Sequence, residues 1–138
     1  MPAEVTLLFS NAAGQLLADP SDFLRAHWTA QPRNLADTQA LFTNMALALQ
    51  QYGWRRILIN QVAMRPFSAA EQQWVSQEWL PEAVREGGYR AGALVVSTDT
   101  YARLATAYIT TSVGGLPLRY RSFDTEAEAV TWLLQQPT

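Results

Sequence analysis

Arg55-Arg56-Ile57-Leu58-Ile59-Asn60-Gln61-Val62 decides how this chain folds. Ile57-Leu58-Ile59 is a short run of strand-forming residues without polar alternation, as expected of a strand covered on both faces. A long helical pattern ends just before it at Tyr52-Gly53, and a second opens just after it at Ser68. Helix, buried strand and helix in that order predict a layered α/β domain built outward from a central strand.

Towards the N-terminus, Val5 to Phe9 and Gln15 to Ala18 read as two strands joined by Asn11-Ala12-Ala13-Gly14, a turn with glycine at its end. Asp19-Pro20-Ser21-Asp22 is a second turn. From Phe23 to Ala30 polar and apolar positions alternate: Leu24, Ala26 and Trp28 share one side, and Arg25, His27 and Thr29 the other. This predicts a third strand with one wet face. Gln31-Pro32-Arg33-Asn34 breaks the chain, and Asn34 caps the next helix. Its buried stripe is Phe42, Met45, Leu49 and Tyr52, widened by Leu35 and Leu41, with Leu47 off the stripe.

Towards the C-terminus, Ser68-Ala69-Ala70-Glu71 matches a capping box, in which the serine oxygen takes an amide and the glutamate reaches back. That helix runs through Trp74, Val75 and Trp79, with Pro81 marking a bend or restart and Gly87-Gly88 the end. Ala91 to Val96 is another buried strand. Asp99 or Thr100 starts a helix with Tyr101, Leu104, Ala105 and Tyr108 on one face, stopped by Gly114-Gly115. Leu118 to Phe123 is the last strand. Thr125-Glu126-Ala127-Glu128, a second capping box, opens a helix burying Val130, Leu133 and Leu134. The expected fold is α/β: a mixed sheet of about six strands, antiparallel at the start and joined by parallel crossovers afterwards, with about four helices. With 138 residues, no linker and no repeat, residues 1–138 are expected to form one domain.

Composition narrows the function. Hydrophobic residues make up 49% and charged residues 16%, which excludes a disordered chain. Ten arginines and no lysine face twelve acids, for a net charge of −2, so no general attraction to nucleic acid or anionic lipid is expected. Without cysteine there is no disulfide, thiolate zinc site or cysteine nucleophile. The N-terminus lacks the features of a signal peptide, and no apolar run approaches the ~20 residues of a membrane span. A cytoplasmic protein without membrane insertion is expected. Gly87-Gly88 and Gly114-Gly115 are not followed by Lys-Ser/Thr and fall where helices end, so no nucleotide loop and no cofactor are expected. Arg55-Arg56 and Arg119-Arg121 read as solvated strand ends.

Arg121-Ser122-Phe123-Asp124-Thr125-Glu126-Ala127-Glu128-Ala129-Val130-Thr131-Trp132-Leu133 resembles the strand-to-helix ending of SpoIIAA-like proteins, a branch of the STAS-type superfamily. The Gly53–Asn60 strand start, the Trp74–Pro81 helix, the Gly88–Val96 strand and Tyr101-Ala102-Arg103-Leu104 follow in the order that family shows. The resemblance covers most of residues 35–136. It implies an α/β layer that binds protein partners. In the anti-sigma-factor antagonists of that superfamily a serine at a helix start is phosphorylated. Here the corresponding loop, Ala63-Met64-Arg65-Pro66-Phe67-Ser68, lacks the Asp-Ser pair. The branch also resembles CRAL-TRIO lipid carriers, which implies an apolar ligand cavity.

The expectation is therefore a non-catalytic binding module, a possible homodimer, acting through a regulatory protein or a small apolar, lipid-like ligand. Trp74 and Trp79 lie five apart, about 140° round a helix at ~100° per residue, so one face cannot easily bury both. With Leu47 also off its stripe, this surplus apolar surface suggests an interface or a pocket mouth, to which Phe67, Tyr101 and Tyr108 would contribute. One alternative is a phospho-switch at Ser68, with Arg65 near enough in sequence to pair with the phosphate. Another is a small enzyme using Glu71, Glu78, Asp99 and Arg103, although no pair among them has a diagnostic spacing. His27, the only histidine, has no clustered metal ligands and no adjacent nucleophile, and reads as an ordinary exposed residue.

Overall fold

In the computed structural model, which describes residues 4–111 and 114–137, the central stretch is a strand, β4 (Arg56–Asn60), buried along nearly its whole length. Before it come β1 (Thr6–Ser10), β2 (Gly14–Asp19), β3 (Phe23–Trp28) and helix α1 (Leu35–Tyr52). After it come α2 (Ala69–Trp74), a π-helical turn (Val75–Trp79), α3 (Leu80–Arg85), β5 (Ala91–Val95), α4 (Thr100–Thr111), β6 (Arg119–Phe123) and α5 (Glu126–Leu134). α2, the π-turn and α3 run on without a break, so the helices form four rods. The six strands make one mixed sheet in the order β1-β2-β3-β4-β5-β6, with β1–β3 antiparallel and β3–β6 parallel. This is the α/β architecture expected from the sequence.

Spatial order equals chain order, and that has a consequence for the layers. Right-handed crossovers that always step the same way along a sheet deliver their helices to the same face. α1, the α2–α3 rod and α4 accordingly contribute to a single core with Leu16, Leu24, Ile57, Ile59 and Leu94 of the sheet. The other face is covered by α5 alone, where Ala129 and Leu133 pack on Phe23, Leu58, Ala93 and Val95. The wet side expected for β3 is only partly wet, because α5 covers Phe23 and reaches Arg25 through Glu126. Leu7 is exposed there, and Leu17, Arg25 and His27 are half-buried.

Local chemistry sets the element boundaries. Asn34 and Ser68 each form a full capping box, with Asp37 and Glu71 respectively. Gly53 ends α1 in the left-handed conformation (φ 68°), giving its N–H to Leu49 O. At Thr125 only half of the expected box forms: its hydroxyl oxygen accepts from Glu128 N–H, but the Glu128 carboxylate takes the Thr125 hydroxyl rather than its amide. Tyr52 and Leu35, read as buried, are exposed, and Tyr52 stacks on Trp54 instead (4.3 Å, 15°). Leu134 is likewise exposed, its place in the core taken by Ala129. Arg56, read as a solvated strand end, is buried. Its guanidinium donates to Leu133 O and Gln136 O at the end of α5 and to Ser21 O and Asp22 O in the β2–β3 turn. A cation on the last carbonyls of a helix is a favourable place for that charge.

One glycine is there for space. A Cβ on Gly92 would stand 2.2 Å from Tyr120 Cε1 and 2.3 Å from the Tyr89 hydroxyl. Those two tyrosines share a hydrogen bond of 3.1 Å, and burial raises both phenol pKa values. Rigid rings cannot yield as a flexible chain end would. Gly92→Ala is expected to lower the unfolding free energy by about 1–3 kcal/mol. Chemical denaturation would measure it, and a neutral result would mean that β5 and β6 separate easily.

Candidate functional site

Of the residues the sequence flagged, Leu47, Trp74, Glu78 and Trp79 come together in a groove between α1 and the α2–α3 rod, of about 310 Å³. Its origin is the π-turn. Pro81 has no N–H to donate and sits at the second position of α3, so the preceding turn widens and Leu80 N–H bonds Val75 O, five residues back. The Ser76 hydroxyl donates to Gln72 O at 2.7 Å, serving a carbonyl of the preceding turn. A wider turn uses fewer degrees per residue, so residues five apart come closer to one face. Both tryptophans consequently reach Phe42 of α1: Trp79 at 4.7 Å between ring centroids and Trp74 at 6.0 Å. As expected, one face does not bury both, and only Trp79 is buried; the turn, which the sequence did not announce, brings Trp74 to Phe42 all the same.

Trp79 is buried and fixed, its indole N–H donating to Phe42 O at 2.7 Å, while Trp74 remains half-exposed. Leu47, 55% exposed, lines the groove from α1 together with Ala46, Thr43 and Gln50. Opposite stand Ala83 and three carboxylates, Glu78, Glu82 and Glu86, each four residues after the last. Like charges four apart on a helix repel by roughly 0.2–0.5 kcal/mol per pair. No salt bridge among the described residues relieves them; those present are Arg25–Asp19, Arg25–Glu126 and Arg33–Glu71. The groove thus pairs an apolar floor with an uncompensated anionic wall.

Phe67 does not line the groove but packs behind it, with its ring 6.3 Å from Phe42 and 5.3 Å from Trp28. Tyr101 and Tyr108 are elsewhere. They lie with Leu104 on the outward side of α4, 75% and 55% exposed, because that helix turns Ala102, Ala105, Thr106 and Ile109 inward. The larger side chains are left in solvent, and neither tyrosine lines this groove. Beside α4 there are two further spaces: a cleft of about 430 Å³ towards β5 and β6, and an inner cavity of about 30 Å³ among Trp28, Phe42, Phe67 and Ile59. Both have Leu94, Thr106 and Thr110 in their walls.

Ser68 is exposed, and its oxygen accepts from Glu71 N–H at 3.1 Å as the cap of α2. The arginine near it in sequence, Arg65, is turned to Ala30 O (2.7 Å). A different arginine, Arg33, holds the Glu71 carboxylate beside Ser68. Glu71, Glu78, Asp99 and Arg103 are not brought together. Glu71 sits in that ion pair, Glu78 on the groove wall and Asp99 at the start of α4, where it accepts from Ala102 N–H. Arg103 lines the cleft beside α4. His27 is not the exposed residue expected. It is half-buried, its Nε2 is buried without a partner, and burial lowers its pKa despite the nearby Glu126 carboxylate. Asn60 donates to Glu126 at 3.0 Å, and Arg25 bridges Glu126 and Asp19, so the bare part of the sheet carries a closed polar cluster.

Sequence reasoning missed Phe42 as the hub, Glu82 and Glu86 as groove wall, and Arg33 altogether. The glutamate spacing was the one signal available for the wall. Among the described residues no His, Asp and Glu side chains gather as a metal-holding group of three, and no helix is long and apolar enough to cross a membrane. Comparison with known proteins brings no relative: no family, no curated protein and no solved structure matches the chain significantly.

Proposed function

We propose that this chain is a non-catalytic binding module of the SpoIIAA-like, STAS-type kind, and that it receives a cationic amphipathic segment of a partner protein in the groove between α1 and the α2–α3 rod. One observation carries this reading: an apolar floor of Trp74, Trp79 and Leu47 lies beside three unpaired carboxylates, Glu78, Glu82 and Glu86. An amphipathic helix laid in such a groove buries its apolar stripe and sets its arginines or lysines against the glutamates. The charges would steer the encounter and the tryptophans would supply the buried anchors. The π-turn favours the same place, since such turns occur often at functional sites.

The test is a photo-crosslinking residue at position 47, with one at Thr131 on α5 as the control position. Peptides captured from Leu47 are expected to be amphipathic and basic, and capture is expected to fall when Glu78 and Glu82 are both changed to Gln. Equal capture from position 131, or capture indifferent to the glutamates, would count against the groove. A second reading, a carrier of a small apolar molecule, is favoured by the cleft and inner cavity beside α4. It requires a reproducible apolar adduct in native mass spectrometry, which also gives the oligomeric state. The phospho-switch at Ser68 has less support. A phosphate there would displace the cap and face the Glu71 carboxylate.

A further inference from the structure

β4, β5 and β6 begin side by side, and each start carries an arginine: Arg55 just before β4, Arg90 just before β5, and Arg119 at the head of β6. Backbone hydrogen bonds stitch the three together, Arg90 N–H to Arg55 O and Arg119 N–H to Arg90 O, each at 2.9 Å. Arg55 is level with Arg90, whereas Arg119 is level with Ala91, one residue further along, so the three stand on adjacent strands at the same end of the sheet without being directly opposite one another. All three line one cleft of about 490 Å³, whose other walls include Leu116, Pro117 and Pro137. No aspartate or glutamate lines it. Arg90 gives Nη1 to Val84 O and Tyr89 O, while the side chains of Arg55 and Arg119 have no hydrogen bond or salt bridge among the described residues.

Like charges sharing one cleft repel, and here the repulsion is left standing in a protein whose net charge is negative. Solvated strand ends, the expectation for Arg55 and Arg119, would not require a third arginine and apolar walls around a shared space. Guanidinium groups present forked donors that match the oxygens of a carboxylate or phosphate. Leu116 and the two prolines offer an apolar surface beside those donors. We propose that this cleft binds an oxyanion, phosphate or carboxylate, borne on a small molecule with an apolar body. The site shares no residue with the groove between α1 and the α2–α3 rod and stands independently of it.

Phenyl phosphate is a suitable probe, with inorganic phosphate and phenol as its two halves. Titrated into ¹⁵N-labelled protein at constant ionic strength, phenyl phosphate is expected to shift the Nε–Hε signals of Arg55, Arg90 and Arg119 saturably. Inorganic phosphate should bind more weakly, and phenol should leave these signals in place. In the double variant Arg55→Gln/Arg119→Gln affinity should fall about tenfold or more, since charge-assisted hydrogen bonds to the anion are lost. The amide spectrum would show that the variant is folded. Should it unfold, the single variant Arg119→Gln serves the same comparison. Sedimentation with vesicles of equal parts phosphatidylcholine and phosphatidic acid would identify the anion as a lipid headgroup. Phenyl phosphate binding without vesicle binding would identify a soluble ligand. No saturable shift in any of the three arginines, or equal affinity in wild type and variant, overturns the proposal.

Discussion

Replacing Glu71 with alanine is expected to lower the unfolding free energy by about 3–5 kcal/mol, the usual cost of stranding one member of a buried ion pair. Side-chain exposure is 7% for Glu71 and 4% for its partner Arg33. Arg33 approaches as a fork, Nε to Oε2 at 2.8 Å and Nη2 to Oε1 at 3.2 Å, and the Thr38 hydroxyl donates to the same carboxylate. The guanidinium lies near the faces of Trp28 and Phe67, with its carbon 5.2 and 5.7 Å from the ring centroids. It also donates to Arg65 O and Pro66 O, while its Nη1 is already buried without an acceptor. Removing the carboxylate leaves a cation that cannot reach water easily. It also deletes half of the capping box, since Glu71 accepts from Ser68 N–H at 2.8 Å. Glu71→Gln keeps the shape and should cost less.

The same pair gives a pH dependence of known sign. Burial alone would raise the Glu71 pKa, but the hydrogen bonds from Arg33, Ser68 and Thr38, with the Arg33 charge, outweigh it and hold the carboxyl below its ordinary value. A carboxyl depressed in the folded state stabilises fully above its unfolded pKa, and that contribution is lost as pH falls through the native value. The gap between wild type and Glu71→Gln should be full at neutral pH and narrow in acid. Urea titrations at both pH values would show it. A neutral-pH gap below ~1 kcal/mol would put the pair with exposed salt bridges and disprove its structural role.

Phe42→Ala is the second large loss, expected at about 3–5 kcal/mol. The ring stands within 6.3 Å of four others, Trp28, Phe67, Trp74 and Trp79, which belong to β3, the loop before α2, and the rod itself. Three segments that converge on this side chain would be left around a hole. The hydrogen bond from Trp79 is made to the backbone of residue 42, so alanine keeps it, and the loss measures packing rather than polarity. Thermal unfolding would give the magnitude, and tryptophan emission should move to the red as water reaches Trp74 and Trp79. A loss of only ~1 kcal/mol would mean that the neighbouring rings close over the gap.

The succession of elements, the mixed sheet and the caps at Asn34 and Ser68 were legible because they follow from short patterns: alternation, glycine and proline stops, and a serine three residues before a glutamate. The groove was half-legible. Leu47 and the tryptophan spacing announced surplus apolar surface, but the geometry depends on a π-turn that arises only when Pro81 sits in a rod packed on Phe42. α4 was misjudged because its sequence offers two stripes, Tyr101-Leu104-Tyr108 and Ala102-Ala105-Thr106-Ile109. Periodicity cannot choose between a bulky face and a small one when the neighbouring helix needs close approach. Arg33–Glu71 spans 38 positions and Arg55–Arg90–Arg119 spans three strands, so no local pattern reveals either.

Because every crossover helix lands on one side of the sheet, the opposite side waits for α5, the last helix in the chain order. During synthesis, Leu58, Ala93 and Val95 leave the ribosome long before the residues that cover them. Until residues 126–134 emerge and dock, the nascent sheet carries a bare oily surface over β4–β6, the kind that invites aggregation. Arg56 offers a landing point for that late arrival, its guanidinium facing the carbonyls of Leu133 and Gln136. That face is therefore finished only once α5 has been made, and a chain stopped after β6 would leave the ribosome with one side of β4–β6 uncovered.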